Sequence, residues 1–268
     1  MRITNAQITA LMSGSMNSNS AALGKLMQQM STGKRILQPS DDPIASVRML
    51  RIQREEASLA QYRTNISNVS GNLSTQEANL QATSDSMLSV RDLLLWAANG
   101  SNSPKDLNAM AGELESIEKT IVSFVNVRDE EGRYLFSGTL SDTAAVTYEP
   151  LTDSYVATGN DKSRQAAVAN GVQVEENVTA IDVFGNGMDF LNQLHATVKM
   201  LKDPALDTTD PAVHAQIAAT IDGLDSAHDG VLGAITELGG RQNTLSMLNS
   251  SNEEVSLVNQ TTPARAST

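Results

Sequence analysis

Apolar side chains recur every three or four residues along most of the chain, a spacing that places them on one face of an α-helix. The pattern is clearest after Leu59, where the alternation of three and four continues without a slip as far as Ala97. A mean spacing of ~3.5 residues predicts a left-handed coiled-coil seam. Its positions are Leu59, Tyr62, Ile66, Val69, Leu73, Gln76, Leu80, Thr83, Met87, Val90, Leu94 and Ala97.

Helix start and stop signals bound this segment. Asp42 is predicted to cap the helix and Pro43 to be its first residue, where the missing N–H of proline is harmless. The helix should end near Asn99 and Gly100. A second helix should start in the same way at Pro104 and run antiparallel to the first, because the linker is short. Its apolar positions are Leu107, Met110, Leu114, Ile117, Ile121 and Phe124.

The N-terminal segment predicts a weaker helix. Its stripe contains Met12, Met16, Asn19, Leu23, Leu26 and Met30, in a background rich in Ser, Asn and Gly. Such a helix is marginal alone. The five apolar residues are either ordinary seam residues or a face that only another segment or subunit completes. We favour the second interpretation, and we assign Met12, Met16, Leu23, Leu26 and Met30 to an assembly interface.

A β-rich stretch is predicted at residues 137–187, where alternation and turn signals replace the helical spacing. Asn170 and Gly171 form a hairpin signal between alternating segments. The residues that carry the pattern are Val146, Tyr148, Tyr155, Val172, Val174, Val178, Ile181 and Val183.

Helical spacing returns after residue 187. One short helix should end before Asp203 and Pro204, and a long helix should begin near Pro211. The short helix carries Leu191, Leu194, Val198 and Leu201, and the long helix carries Ile217, Ile221, Leu224, His228, Val231, Ile235, Leu238, Gln242 and Leu245. Residues 259–268 read as a disordered tail.

The predicted fold is mainly α: an elongated antiparallel coiled-coil helical bundle with a small β-rich insert domain at its tip. Residues 1–40 form a separate first helix, residues 41–136 and 188–258 form the bundle, and residues 137–187 form the β-rich outer domain. The bundle seam is assigned to Leu59, Ile66, Leu73, Leu80, Met87, Leu94, Ile117, Ile121, Ile221, Leu224, Leu238 and Leu245.

The composition and charge of the chain limit the kinds of site and partner that it can have. The chain has no Cys, which excludes disulfides and thiolate sites, and its formal net charge of −12 argues against nucleic acid as a partner. No apolar run has the length of a membrane span, and the N-terminus lacks a signal-peptide core. His228 lies near Asp225 and Asp229, but a polar seam residue is a better interpretation than a metal ligand. We therefore assign no catalytic, cofactor-binding or metal residues.

Several short runs resemble the flagellin superfamily, and its hook–filament junction branch more than its filament-forming branch. They are MRITN at residues 1–5, STGKRI at 31–36, PSDDPIA at 39–45, GRYLFSGT at 132–139 and LGGRQN at 238–243.

The resemblance implies a structural protein of the bacterial flagellum that is not an enzyme, a ring of identical subunits that adapts hook to filament mechanically. It implies export without a cleaved signal peptide, neighbours that are a hook-associated protein and flagellin, and an export chaperone. A filament-forming flagellin and a non-flagellar coiled-coil signalling or adhesin module remain as alternatives, with a metal-dependent enzyme more distant.

The sequence departs from the superfamily at its C-terminal end. Superfamily members end in a further amphipathic helix with an apolar C-terminus, whereas this sequence closes with a Pro/Ser/Thr-rich segment, either by truncation or by divergence. We therefore expect residues 1–40 to be the N-terminal helix of an incomplete inner-tube domain, and the chaperone to bind the full-length form.

Overall fold

A computed structural model of the chain describes residues 5–33, 35–100 and 102–267, with the helical backbone alone described for residues 5, 6 and 262–267. Residues 1–4 of the MRITN run and Lys34 of the STGKRI run lie outside the described residues. The chain divides into two compact units. The smaller unit consists of residues 1–61 and 251–268, and the larger unit is Tyr62–Ser250.

The structure is mainly helical, as predicted. The elements in chain order are α1 (Asn5–Thr32), α2 (Pro43–Ala97), α3 (Pro104–Val125), β1 (Val146–Glu149), β2 (Ser154–Ala157), β3 (Gln165–Ala169), β4 (Val172–Glu175), α4 (Ala180–Phe184), α5 (Asp189–Leu201) and α6 (Pro211–Ser267). Helices α2 and α6 contribute residues to both units.

Local capping explains where two of these helices begin. Helix α2 starts at Pro43, and the backbone N–H of Ala45 donates to Asp42 Oδ1 at 3.0 Å, which is the bond of an N-cap. Helix α3 starts with a capping box, in which Ser103 and Asp106 each bond the other's backbone N–H. Both starts agree with the cap-then-proline pattern of the sequence.

In the larger unit, the helices alternate in direction. Glu77 Oε2 accepts from Gln242 Nε2 at 2.8 Å, whereas Arg91, further along α2, pairs with Asp225, earlier in α6, at 3.0 Å. These pairs show that α2 and α6 are antiparallel.

Helices α3 and α5 are antiparallel as well. Asn108 Nδ2 donates to the carbonyl of Lys202 at 3.1 Å, and Glu118 of α3 contacts His195 of α5 at 2.9 Å. The core between the helices is built from aliphatic side chains and methionine, which suits a chain with 3% aromatic residues. Fully buried members include Leu73, Met87, Leu94, Leu114, Ile121, Leu191, Leu194, Leu224 and Leu238.

The insert contains two antiparallel hairpins, each a separate two-stranded sheet. In the first hairpin Val146 pairs with Ala157, and in the second Gln165 pairs with Glu175. The second hairpin turns through Gly171, whose φ of 72° is the left-handed conformation that the Asn-Gly signal predicts.

The run at residues 132–139 packs against later parts of the insert. Phe136 is buried, and its carbonyl accepts from the backbone N–H of Ala180 at 2.9 Å. Gly138 has a φ of 71°, and a Cβ there would lie 2.1 Å from Asn160 Oδ1. Glycine is therefore required at this position by both conformation and space.

The insert differs from the predicted stretch at its end. Ile181 and Val183 were expected to continue the β pattern, but they lie in the short helix α4. Thr179 and Asp182 form a capping box that starts this helix, and Gly185 with a φ of 74° ends it. The local hydrogen bonds of the cap outweigh a pattern of only three apolar residues.

The C-terminal segment also differs from the expectation. Helix α6 continues to Ser267, where a disordered tail was predicted from residue 259. Propagation of an existing helix fixes one residue per hydrogen bond, and the helix continues through Pro263, which lacks one backbone donor. Within the described part of the chain, no helix combines the length and apolarity needed to cross a membrane.

Candidate functional site

Helix α1 carries an apolar face that is open to solvent. The predicted interface residues lie three, four or seven positions apart, which places them on one side of the helix. Their exposed fractions are 71, 74, 56, 55 and 84% for Met12, Met16, Leu23, Leu26 and Met30. An apolar face of this kind is typical of a surface that another segment or chain covers.

Two further segments of the smaller unit are exposed and apolar. At the start of α2, Ile44, Val47 and Leu50 are 85, 68 and 54% exposed. Near the end of α6, Leu257 and Val258 are 64 and 62% exposed. These residues are not among the predicted interface positions, although the spacing of three between Ile44, Val47 and Leu50 is a readable signal in the sequence.

The interior of the smaller unit is polar by comparison. Ser256 Oγ donates to Glu56 Oε2 at 2.8 Å, which joins α6 to α2. Asn252, Ser256 and Asn259 are buried, and Leu59 is buried with them in the same unit. Burial of polar groups with exposure of Met, Leu and Ile reverses the usual distribution. The smaller unit is thus built like one half of an interface.

A polar clasp connects α1 to the segment before α2. Asp41 Oδ1 accepts from Lys25 Nζ at 2.6 Å, and Asp41 Oδ2 accepts from the backbone N–H groups of Leu37 and Gln38 at 3.1 Å each. The hydrogen bond from Lys25, followed by those from the two backbone groups, lowers the pKa of the Asp41 carboxyl. A charged Asp41 therefore fixes the path of the chain between the two helices.

The predicted seam residues of the larger unit line its core. Ile66, Leu73, Leu80, Met87, Leu94, Ile121, Leu224, Leu238 and Leu245 are buried. Ile117 and Ile221 are only partly buried, because the adjacent Glu118 and Thr220 take the buried positions. With 3.6 residues per turn, either of two adjacent residues can face the seam, and the packing of the helices decides which of the two is buried.

Polar residues in the seam connect the bundle to the insert. Gln76 is buried, and its side chain bonds two backbone groups of the segment after β4. Its Nε2 donates to the carbonyl of Glu176 at 3.1 Å, and its Oε1 accepts from the N–H of Val178 at 2.9 Å. This amide is a fixed attachment point of the insert.

His228 also makes a polar contact in the seam, but between the two bundle helices α2 and α6. Its Nε2 lies 2.8 Å from Ser84 Oγ of α2, so it is a paired seam residue. Across the described ranges no group of three or more His, Asp or Glu side chains is arranged to hold a metal ion.

Comparisons of the sequence with known proteins agree on one family. Residues 3–141 match the family described as the bacterial flagellin N-terminal helical region, which is just over half of the chain. The flagellar hook-associated protein 3 of Salmonella typhimurium is 28% identical over 253 residues, covering 89% of this chain and 79% of that protein. The protein of the same name from Escherichia coli is 27% identical over 242 residues, covering 84% and 75%.

One solved structure is similar in both sequence and fold. It is assigned as a flagellar hook-associated protein from Vibrio parahaemolyticus, and it superposes with a TM-score of 0.78 at 38% identity. The alignment covers 85% of this chain and 100% of that one.

Proposed function

This chain belongs to the bacterial flagellin family, and from that membership we propose that it is a structural subunit of the flagellum that joins the hook to the filament. The observation that carries this proposal is the extent of the similarity to hook-associated protein 3. It covers more than four fifths of the chain, so it includes helices on both sides of the insert.

The smaller unit supplies the assembly surface in this proposal. Its exposed apolar residues on α1, α2 and α6 would be covered by neighbouring subunits in a ring of identical chains. Each apolar side chain of this size that becomes buried contributes about 1.5–3 kcal/mol. Residues 1–40 then act as the N-terminal part of an inner layer that is completed only in the assembly, which limits association before export.

The larger unit supplies stiffness. A core of interlocked aliphatic side chains resists compression, and the polar attachments at Gln76 hold the insert on the bundle. A subunit of this kind transmits torque between two structures of different flexibility without catalysing a reaction. Its contacts would be the adjacent hook-associated protein on one side and flagellin on the other.

Export would precede assembly. We infer that the chain leaves the cell through the flagellar export apparatus, guided by a chaperone, and folds at the distal end of the hook. The apolar positions of α1 and the C-terminal end of α6 would be covered by partners before and after transit.

Deletion of the gene in its host tests the proposal. We expect hooks without filaments, and monomeric flagellin in the culture medium, because flagellin has no base on which to polymerise. Restoring the gene should return both readouts to normal. Normal filaments in the deletion strain would refute the junction role.

A second measurement separates the junction role from a filament-forming role. Purified protein seeded with hook fragments should add a layer of limited length under the electron microscope. Growth of long filaments from this chain alone would assign it to the filament instead.

A further inference from the structure

One imidazole ring lies between the first hairpin and the bundle, beside the bonds that Asn192 of α5 makes to the backbone of Tyr155. His195 of α5 lies between two carboxylates: its Nδ1 is 2.9 Å from Glu118 Oε1, and its Nε2 is 3.1 Å from Asp153 Oδ1. Glu118 belongs to α3, and Asp153 belongs to the turn between β1 and β2. The ring therefore bridges a helix and the hairpin.

The chemistry of the two contacts specifies the charge of the ring. A neutral imidazole has one donor and one acceptor nitrogen, whereas imidazolium donates from both. An ionised carboxylate only accepts. Since both nitrogens of His195 face carboxylate oxygens, the two hydrogen bonds form together only when the ring is protonated.

Burial of Glu118 adds to this requirement. Its side chain is 2% exposed, and Tyr155 Oη donates to the same Oε1 at 2.6 Å. The nearby Lys119 and Lys202 both pair with Glu115 instead. A buried carboxylate needs a countercharge, and His195 is positioned to supply it.

Asp153 is held from three sides. Tyr148 Oη donates to its Oδ1 at 2.5 Å, Lys199 Nζ donates to its Oδ2, and His195 contacts Oδ1. Asp153 also has a φ of 51°, a left-handed conformation that is uncommon outside glycine. The turn is thus kept in an unfavourable conformation by its side-chain contacts.

We propose that His195 is a protonation-dependent latch, which in its charged form holds the β1–β2 hairpin on helices α3 and α5. The groups that face it are Glu115, Glu118 and Lys119 from α3, Tyr148, Asp153 and Tyr155 from the hairpin, and Lys199 from α5, with Lys202 and Asp203 just beyond α5. All of these except Asp203 line a cavity of about 580 Å³.

The direction of the pH effect follows from the contacts. Burial lowers the pKa of His195, but the hydrogen bonds that the ring donates to Glu118 and Asp153 outweigh this effect, so the pKa lies above its usual value of 6.5. The stability that the charged ring adds is complete below 6.5 and is lost as the pH rises through the raised pKa. Alkaline conditions therefore open the latch, while Lys199 and Tyr148 still contact Asp153.

Two measurements on the full chain test the latch. We expect the imidazole of His195 to titrate above pH 6.5 in an NMR experiment. We expect amide protection in residues 150–155, of which Pro150 has no amide proton, to fall at least tenfold between pH 6 and pH 9, after correction for the intrinsic rate. The second hairpin, at residues 165–175, is the internal control and should keep its protection.

Variants separate the latch from general stability. His195→Gln should give low protection at residues 150–155 at both pH values, whereas His214→Gln should behave like the parent chain. Glu118→Gln should shift the His195 midpoint back toward 6.5. A midpoint at or below 6.5 in the parent chain, or equal hairpin protection at pH 6 and pH 9, would overturn the proposal.

Discussion

The side chain of Gln76 accepts a hydrogen bond from the backbone N–H of Val178 at 2.9 Å, although 102 positions separate the two residues. The same amide donates to the carbonyl of Glu176. It therefore bonds backbone groups of the segment that follows the end of β4. A polar residue in a coiled-coil seam is unfavourable for packing alone. Here its position is explained by the insert that it anchors.

Loss of this anchor should destabilise the larger unit. Gln76→Leu leaves a buried N–H and a buried carbonyl without their partner, so we expect a loss of about 1–3 kcal/mol in the free energy of unfolding. Urea denaturation measures the change. Gln81→Leu on the exposed side of α2 is the matched control and should change stability by less than about 0.5 kcal/mol. Equal effects of the two variants would contradict the anchoring role.

The seam can be tested with two leucines of the same helix. Leu73 is fully buried and Leu88 is 47% exposed. Leu73→Ala should lower the free energy of unfolding by about 2–5 kcal/mol, because it removes buried methyl groups and leaves a cavity. Leu88→Ala should lower it by less than about 1 kcal/mol. Thermal unfolding followed by circular dichroism at 222 nm compares the two, and a larger loss for Leu88→Ala would refute the assigned seam.

The exposed face of α1 should matter for assembly and not for folding. Met16→Asp places a charge on this face. Because Met16 is exposed, we expect the free energy of unfolding of the isolated chain to change by less than about 0.5 kcal/mol. In the deletion strain, the same variant should fail to restore filaments, because the charge would be buried against a neighbour. Flagellin in the medium is the readout.

Asn17→Asp provides the control for that experiment. It adds the same charge at the next position, which points away from the apolar stripe. This variant should restore filaments. Failure of both variants would show that any negative charge on α1 blocks export or assembly, and the face would have no special role.

The clasp at Asp41 should respond to acid. The pKa of Asp41 is lower in the folded chain than its ordinary value of 3.8. The stability that the charged clasp adds is therefore complete above pH 3.8, and it is lost as the pH falls through the lower pKa of the folded chain. Asp41→Asn removes the charge at neutral pH, so we expect faster amide exchange at Leu37 and Gln38. Hydrogen–deuterium exchange at pH 7 measures these two exchange rates. Glu55→Gln is the control and should leave them unchanged. Unchanged exchange at both amides would show that the charge of Asp41 does not hold the segment.

The helices could be predicted from sequence because their signals are local. Spacing of three and four, the Asp42 and Ser103 caps and the prolines after them depend on residues within one or two turns. The Asn-Gly turn of the second hairpin is local in the same sense. Helix α4 was missed although Thr179 and Asp182 formed a readable capping box, because the apolar pattern was given more weight than the cap.

The helical elements, the position of the insert and the apolar stripe of α1 can be read from the amino-acid sequence, because each depends on periodicity and on neighbours along the chain. Packing of the helices selected which of two adjacent residues entered the seam, as with Glu118 in place of Ile117. It also brought His195 to Glu118 and Asp153, which lie 77 and 42 positions away. Contacts at such separations depend on how the helices pack against each other, and no local pattern encodes them.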